Sequence, residues 1–255
     1  MRQTVLVGAS LLSLAFLPNA QAADQAFCDS PWLVEGKQIE GEISQNTAAF
    51  SVDVLSVKRQ DAQNCTAQLN VRLNTFAKLI IPAAGGQFTL SVRNNNAQLN
   101  GQLSTGQNAA PFATSSVAVA LKGLLFKPAQ KVIAGQSVPA RQYSANANAD
   151  MFIAQGLPKM GEASINNASF SAGAAQVGAA QNLNTALGPM HCLPIQYQAK
   201  VSSGTVYESL TGRTKAPETK TLGVTEWYCP EQGLSMQTDF RYQNSSYTMR
   251  ITSIR

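Results

Sequence analysis

Apolar and polar residues alternate with a period of two along much of the chain. The segment "AQLNVRLNTF" places Leu69, Val71 and Leu73 on one face and mostly amide side chains on the other. "FSVDVLSV" (50–57) and "QFTLSVRN" (87–94) repeat the pattern. This spacing predicts strands with one face in a core and the other in solvent.

Residues 192–255 carry the same alternation in five segments with short polar connections. These segments are "LPIQYQAKV", "TVYESLTGR", "TLGVTEWYC", "GLSMQTDFRY" and "SYTMRITSIR". Short connections join neighbouring strands in opposite directions, so the pattern predicts an antiparallel meander.

The middle of the chain has a less regular pattern. "SVAVALKGLLF" (116–126) suits either a buried strand or a short helix. A helical turn is predicted at 150–155, and the Ala-rich stretch 173–188 also resembles a helix, although Gly178 weakens that interpretation. The whole pattern predicts an all-β protein with at most one or two short helices.

The first 22 residues have the features of a signal peptide. Arg2 precedes an apolar run at 5–17, and the sequence Ala-Gln-Ala ends at Ala22. The run is shorter than the roughly 20 residues that span a bilayer. We therefore expect residues 23–255 to form an exported β domain without a transmembrane segment, which can be divided into lobes 23–160 and 161–255. The expected location is the periplasm of a Gram-negative cell or its exterior.

Charge adds little to this picture. The full sequence has a net charge of +5, and only 13% of its residues are charged. The cations are scattered along the chain, whereas nucleic-acid-binding proteins usually concentrate them. We expect a mildly basic, solvated surface and no nucleic-acid partner.

Four cysteines in an exported chain indicate two disulfides, for which three pairings are open. Cys28 and Cys65 are 37 residues apart, as are Cys192 and Cys229. The simplest of the three pairings links Cys28 to Cys65 and Cys192 to Cys229. Each such link stabilises a fold by about 4 kcal/mol when the chain entropy of the unfolded state is counted.

The stretch "TEWYCPEQGL" is the densest in aromatic and turn-forming residues. Alternation places Trp227 and Cys229 on one face of a strand and Glu226 and Tyr228 on the other. The favoured interpretation is a structural corner, in which Trp227 fills the core, Glu226 lies on the wetter face and Gly233 permits a turn. An active site in this stretch is the alternative.

The C-terminal third resembles a recurring exported bacterial domain of unknown function. The resemblance covers residues 168–255 and is carried by Val177, Gly178, Thr185, Gly188, Cys192, Ile195 and Tyr197, then by Thr225, Glu226, Trp227, Tyr228, Gly233 and Leu234. Such domains are similar in shape to the half-barrels of periplasmic lipoprotein carriers. The resemblance implies a curved antiparallel sheet or half-barrel meander and supplies no catalytic residue.

The sequence offers little catalytic chemistry. His191 is the only histidine, so a site with several histidine ligands is excluded. Nucleophile-elbow, phosphate-loop and C-x-x-C motifs are absent from the sequence. A hydrolase that uses Glu208 and Glu226 as paired carboxylates is a remote alternative. We therefore assign no catalytic, cofactor-binding or metal-binding residue and expect a protein that is not an enzyme.

Two classes of function remain. The first is an envelope protein that binds a lipid or another apolar ligand on its curved sheet. The second is an assembly or interaction protein that binds an envelope protein partner through its sheet edges. The first requires an open apolar cavity, whereas the second requires a packed core and an exposed strand edge or patch.

Overall fold

The computed structural model describes residues 26–43, 48–75, 84–94, 96–105, 114–126, 132–152 and 158–255. The predicted signal peptide lies outside these residues. A single 3-10 turn, η1 (Phe27–Asp29), precedes the strands and is the one helical element among the described residues. In that part of the chain, no helix has the length and apolar character needed to cross a membrane.

The described strands number seventeen. They are, in chain order, β1 Gln38–Ile43, β2 Ala48–Arg59, β3 Cys65–Thr75, β4 Ala84–Arg93, β5 Asn96–Thr105, β6 Thr114–Phe126, β7 Ser137–Val138, β8 Arg141–Phe152, β9 Lys159–Ala172, β10 Ala175–Val177, β11 Gln181–Thr185, β12 Gly188–Ser202, β13 Thr205–Glu208, β14 Arg213–Lys215, β15 Thr219–Cys229, β16 Leu234–Tyr242 and β17 Ser245–Ile254.

All the strand pairs are antiparallel and form one large curved sheet. The pairing proceeds from β1 through β6 to β8, β9, β12, β15, β16 and β17, and β17 also pairs with β1. Strands on either side of residue 160 are thus joined three times, by β8–β9, by β7–β10 and by β1–β17. The predicted fold, an all-β curved antiparallel sheet, is confirmed.

The middle of the chain forms strands at the positions where the sequence also suggested helices. Residues 116–126 belong to β6. Residues 150–152 end β8 in place of the predicted helical turn, and residues 153–155 of that turn lie outside the described part. The Ala-rich stretch 173–188 contains β10 and β11. Pairing with neighbouring strands outweighs the weak intrinsic preference of alanine for helices.

The C-terminal meander differs from its prediction at one segment. "TVYESLTGR" forms two short strands, β13 and β14, which make a hairpin beside β9. Strand β12 therefore pairs directly with β15 over ten residue pairs, from Leu193–Tyr228 to Ser202–Thr219. The turn at 209–212, with Gly212 at φ 62°, divides what alternation alone presents as one strand.

One side of the sheet, which we call the inner face, carries the apolar residues of the core. Leu69 of β3 and Phe88 of β4 lie side by side there, and both are fully buried. The phenyl rings of Phe88 and Phe50 rest against Gly101 and Gly41 on adjacent strands, where any Cβ would collide with them. Alternation along each strand sends polar side chains to the opposite, outer face.

Burial along the inner face divides it into two ends. At the packed end, Val54, Leu69 and Leu90 are buried beneath the chain segment 26–33, whose Phe27 and Trp32 rings meet edge to face. Towards the opposite end of the same strands, the inner side chains are only half-buried. We call this the open end and define it by Val71, Leu73, Ala145, Ala147 and Ile165.

Candidate functional site

A buried ion pair lies on the inner face between the two ends. Nη1 of Arg141 in β8 is 2.8 Å from Oε1 of Glu226 in β15, and the two side chains are 4% and 9% exposed. Charged groups are rarely buried so completely unless they are paired. We call Arg141, Glu226 and the two tyrosines that contact them, Tyr143 and Tyr197, the polar centre.

Small residues bring the two charges together. Strands β9 and β12 separate β8 from β15, a distance of three strand spacings or about 14 Å. Arg141 pairs with Ala172, which pairs in turn with Ala199, and both alanines are buried. Because these side chains are small, the long Arg141 side chain can pass over both strands to Glu226.

Two tyrosines complete the polar centre. The Tyr197 hydroxyl donates a hydrogen bond to Oε1 of Glu226, and the Arg141 guanidinium lies 4.6 Å from the centre of the Tyr197 ring. Tyr143 is hydrogen-bonded with Arg141, and its ring lies 5.4 Å from that of Phe170. A cation over an aromatic face gains further stabilisation where water is excluded.

The electrostatics of the polar centre keep the guanidinium charged and the phenols neutral. Burial alone lowers the pKa of Arg141, but the Glu226 carboxylate and the two tyrosines together outweigh burial and raise that pKa above its ordinary value. Burial raises the pKa of Tyr143 to about 12. Burial and the adjacent carboxylate raise the pKa of Tyr197 further. Both hydroxyls are therefore hydrogen-bond donors at neutral pH.

One acceptor of the polar centre is unsatisfied. Oε2 of Glu226 is buried and has no hydrogen-bond partner among the described residues. A buried carboxylate oxygen without a donor costs free energy and is uncommon in folded proteins. The polar centre therefore has the capacity to accept a hydrogen bond from a further group.

The structure does not bring Glu208 and Glu226 together. Glu208 lies beside Ala163 of β9 and accepts a hydrogen bond from Thr211. Ala172, about 30 Å further along β9, is level with Ala199 of β12, and Glu226 pairs with Ile195, four residues beyond Ala199. Paired carboxylates in glycosidases are about 5 to 9.5 Å apart, so the hydrolase alternative that uses this pair is wrong.

The described residues also lack a group of three His, Cys, Asp or Glu side chains placed to hold a metal ion. Within the polar centre, the one carboxylate is already paired with a guanidinium. What the arrangement can do chemically is accept and donate hydrogen bonds in a site with no net charge.

At the corner, residues 225–234, the two faces of the strand differ in exposure from the prediction. Glu226 is only 7% exposed, whereas Trp227 is half-buried and its Nε1 donates to Oδ2 of Asp239. The expectation that Glu226 lies on the wetter face is wrong. An ion pair across the sheet makes the carboxylate face the interior, while the larger indole packs against the edge of the core.

The remaining corner residues occupy a tight hairpin. Gly233 has φ 65°, a left-handed conformation that favours glycine, and its carbonyl accepts a hydrogen bond from Nε1 of Trp32. Tyr228 is half-buried against the cluster that contains Leu193 and Ile195. The N-terminal segment therefore lies against the turn of this hairpin.

Two disulfides join the cysteines in the local pairing expected from the sequence. Cys28 is linked to Cys65, and Cys192 to Cys229, each across 37 residues. The second link joins the adjacent strands β12 and β15 beside the corner. All four cysteines are buried at the packed end.

Sequence reasoning missed Arg141 and Tyr143. The signal was present in "RQYSANANADMF", where Arg141, Tyr143, Ala145 and Ala147 occupy alternate positions opposite a run of Gln, Ser and Asn. A single cation in phase with the apolar face of a strand indicates a buried charge that needs a partner. Glu226 was identified as a candidate, but for a different role.

Comparisons with known proteins show the fold. Neither a protein family nor a curated protein matches the sequence. A solved structure of a Bacteroides fragilis protein, designated as exported and as having a YmcC-like fold, is 13% identical with a TM-score of 0.51. The similarity covers 87% of this chain and 96% of that one. A Parabacteroides distasonis protein designated a lipoprotein is 12% identical with a TM-score of 0.49, over 88% and 96% of the two chains.

Proposed function

We propose that the protein is a non-enzymatic cell-envelope protein that binds a lipid or similar amphiphile, with one acyl chain on the open end of the inner face. A location outside the cytoplasm is supported by the predicted signal peptide and by two disulfides, which persist mainly in oxidising compartments. Similarity to an exported protein of the same fold is consistent with that location.

The half-burial of apolar side chains at the open end carries this proposal. Val71 and Leu73 continue the inner face of β3 beyond buried Leu69 and pack against the same cluster, yet both are only partly buried. Ala145 and Ala147 do the same on β8, beyond buried Arg141. Apolar side chains that are only partly buried on the inner side of a sheet suit an apolar ligand.

The dimensions of this surface suit a single acyl chain. Ala147 lies six positions beyond Arg141 on β8, so the polar centre and the open end together extend over about 20 Å of strand. An acyl chain spans half of the bilayer's hydrocarbon core, or about 15 Å. Small alanines leave room beside the strand, and the larger Ile165 lies opposite Ala147 on β9.

Free strand edges give less support to the second class, an interaction protein that binds a partner through its sheet. Strand β1 pairs with both β2 and β17, so the first and last strands of the large sheet lie side by side. Among the strands that the structure describes, those paired on one side only are the short β7, β11 and β14. Partner binding by strand addition usually needs a longer edge.

The test is equilibrium binding of a fluorescent fatty-acyl probe to the purified mature chain and two variants. Ala147→Asp places a charge on the open end, whereas Asn148→Asp places the same charge on the outer face of the same strand. We expect the first variant to bind the probe about tenfold more weakly or worse, because the carboxylate is desolvated by the ligand. Asn148→Asp should bind like wild type.

Melting temperatures of both variants serve as the folding control. Absence of probe binding by the wild type would contradict the proposed function. Equal affinity of the two aspartate variants would also contradict it, because the ligand would then lie elsewhere.

A further inference from the structure

The polar centre lies at the inner end of the surface that we assign to the acyl chain. Arg141, Tyr143, Ala145 and Ala147 share one face of β8, where Arg141 is buried and the other three are half-buried. A ligand whose chain lies against the two alanines therefore has its head group beside Tyr143 and the Arg141–Glu226 pair.

Charge decides which head group this position suits. Arg141 and Glu226 neutralise each other, and both are desolvated. An ammonium head would add a second cation beside Arg141, and a carboxylate head would add a second anion beside Glu226. In either case the site would hold a net charge away from water, which is costly. A neutral head group avoids this cost.

Hydrogen bonding narrows the choice of head group further. Oε2 of Glu226 is a buried acceptor with no partner in the described part of the chain, whereas Oε1 is occupied by Arg141 and Tyr197. A head group that lacks a donor would leave Oε2 unsatisfied. A hydroxyl or amide N–H would satisfy it and would gain a hydrogen bond to a charged acceptor.

We propose that the amphiphile has a neutral head group with a hydrogen-bond donor, and that this donor binds Oε2 of Glu226. This inference rests on the proposed function, since it names the ligand class of the same site. It makes Glu226 a binding residue for the head group, with Arg141 and Tyr197 as the residues that position its carboxylate.

The experiment compares four ligands with one chain length, namely dodecanol, dodecyl methyl ether, dodecanoate and dodecylamine. Each competes with the fluorescent acyl probe for the wild-type chain at neutral pH. Dodecanol should bind about tenfold more tightly than the ether, because only the alcohol donates a hydrogen bond. The two charged ligands should bind more weakly than dodecanol.

A double variant tests the residues themselves. Arg141→Met combined with Glu226→Leu removes both charges at once, so no unpaired charge remains buried. This variant should bind the alcohol and the ether equally. Gln142→Met, on the outer face of β8, is the matched control and should keep the preference for the alcohol.

The outcomes separate the two proposals. If neither the alcohol nor the ether binds the wild type, the proposed function fails. If both bind equally well, or if dodecanoate or dodecylamine binds best, acyl binding survives and the assignment of the head group is overturned. A preference for the alcohol that persists in the folded double variant would also overturn it. The wild-type comparison decides if the double variant does not fold.

Discussion

The packed end and the open end of the inner face are built from the same strands but differ in what covers them. On β3, Leu69 is 4% exposed, while Leu73, four residues further along the same face, is only partly buried. The segment 26–33 and both disulfides lie at the packed end. Alternation therefore identifies which side chains face inwards, but the remote segment that covers them determines which become core.

The polar centre marks the boundary between these ends. On its packed side lie Val138, Val177 and Ile195, all buried, and on its open side lie Ala145 and Phe170, both half-buried. A buried ion pair at such a boundary contributes little net stability compared with apolar residues, but breaking it is costly. A substitution that breaks this ion pair is therefore the most sensitive probe of the boundary between the two ends.

The largest effect is expected for Arg141→Met. This change leaves the Glu226 carboxylate buried without its cation and should lower the free energy of unfolding by about 3–5 kcal/mol. Urea denaturation measures the loss. The double variant with Glu226→Leu should recover most of it. A single variant as stable as wild type would show that the pair is not buried in solution.

Removal of a disulfide should have the next largest effect. The variant with Cys28→Ala and Cys65→Ala should lose about 4 kcal/mol, because the unfolded chain regains the entropy of a long loop. The Cys192–Cys229 disulfide closes a loop of the same length, so the Cys192→Ala, Cys229→Ala variant should lose a similar amount. Urea denaturation of the two double variants is the measurement, and losses differing by several kcal/mol would contradict an entropic origin.

The comparison between the two ends is tested directly on β3. Leu69→Ala should cost about 2–5 kcal/mol, as a large-to-small change in a filled core. Leu73→Ala, at the open end, should cost less than half as much, because water already reaches the site. Thermal melts of the two variants compare the sites. Equal costs would show that the open end is packed in solution.

The smallest expected effect is the pH dependence of stability that Asp239 contributes beside the corner. Partial burial raises the pKa of Asp239, but hydrogen bonds from Gln237, Thr248 and Trp227 outweigh it and lower the pKa below its ordinary value. The carboxylate therefore stabilises the fold above the unfolded pKa of about 3.9, and this contribution is lost as pH falls through the lower folded value.

Asp239→Asn provides the comparison for that effect. Wild type should be more stable than the variant at pH 7, and the difference should shrink below about pH 4. Stability measured by urea denaturation at several pH values checks this. A difference that grows as the pH falls would contradict the stated direction of the pKa shift.

Strands with large apolar side chains on their inner face could be predicted from the sequence, whereas a strand with small ones could not. Strands β2, β3 and β4 were predicted because Val, Leu and Phe alternate there with polar residues. Strand β8 was missed because its inner positions beyond Tyr143 are alanines and its outer ones asparagines, both poor strand formers. Its neighbours β6 and β9 hold it in the sheet instead.

The candidate site was less predictable than the fold. The sequence singled out Glu226 but put it on the wetter face, because the adjacent Trp227 is larger and more apolar. Its partner Arg141 is 85 residues away and two strands intervene. A pairing between residues so distant in sequence depends on the order of strands in the sheet, which alternation does not specify.

The most direct test of the central claim, that the open end holds an acyl chain, is native mass spectrometry of the exported protein purified from its own host. We expect the wild type and Asn148→Asp to carry a bound amphiphile that denaturation releases, and Ala147→Asp to be without it. A wild-type protein with only the mass of the bare polypeptide would contradict the account, as would an amphiphile retained by Ala147→Asp.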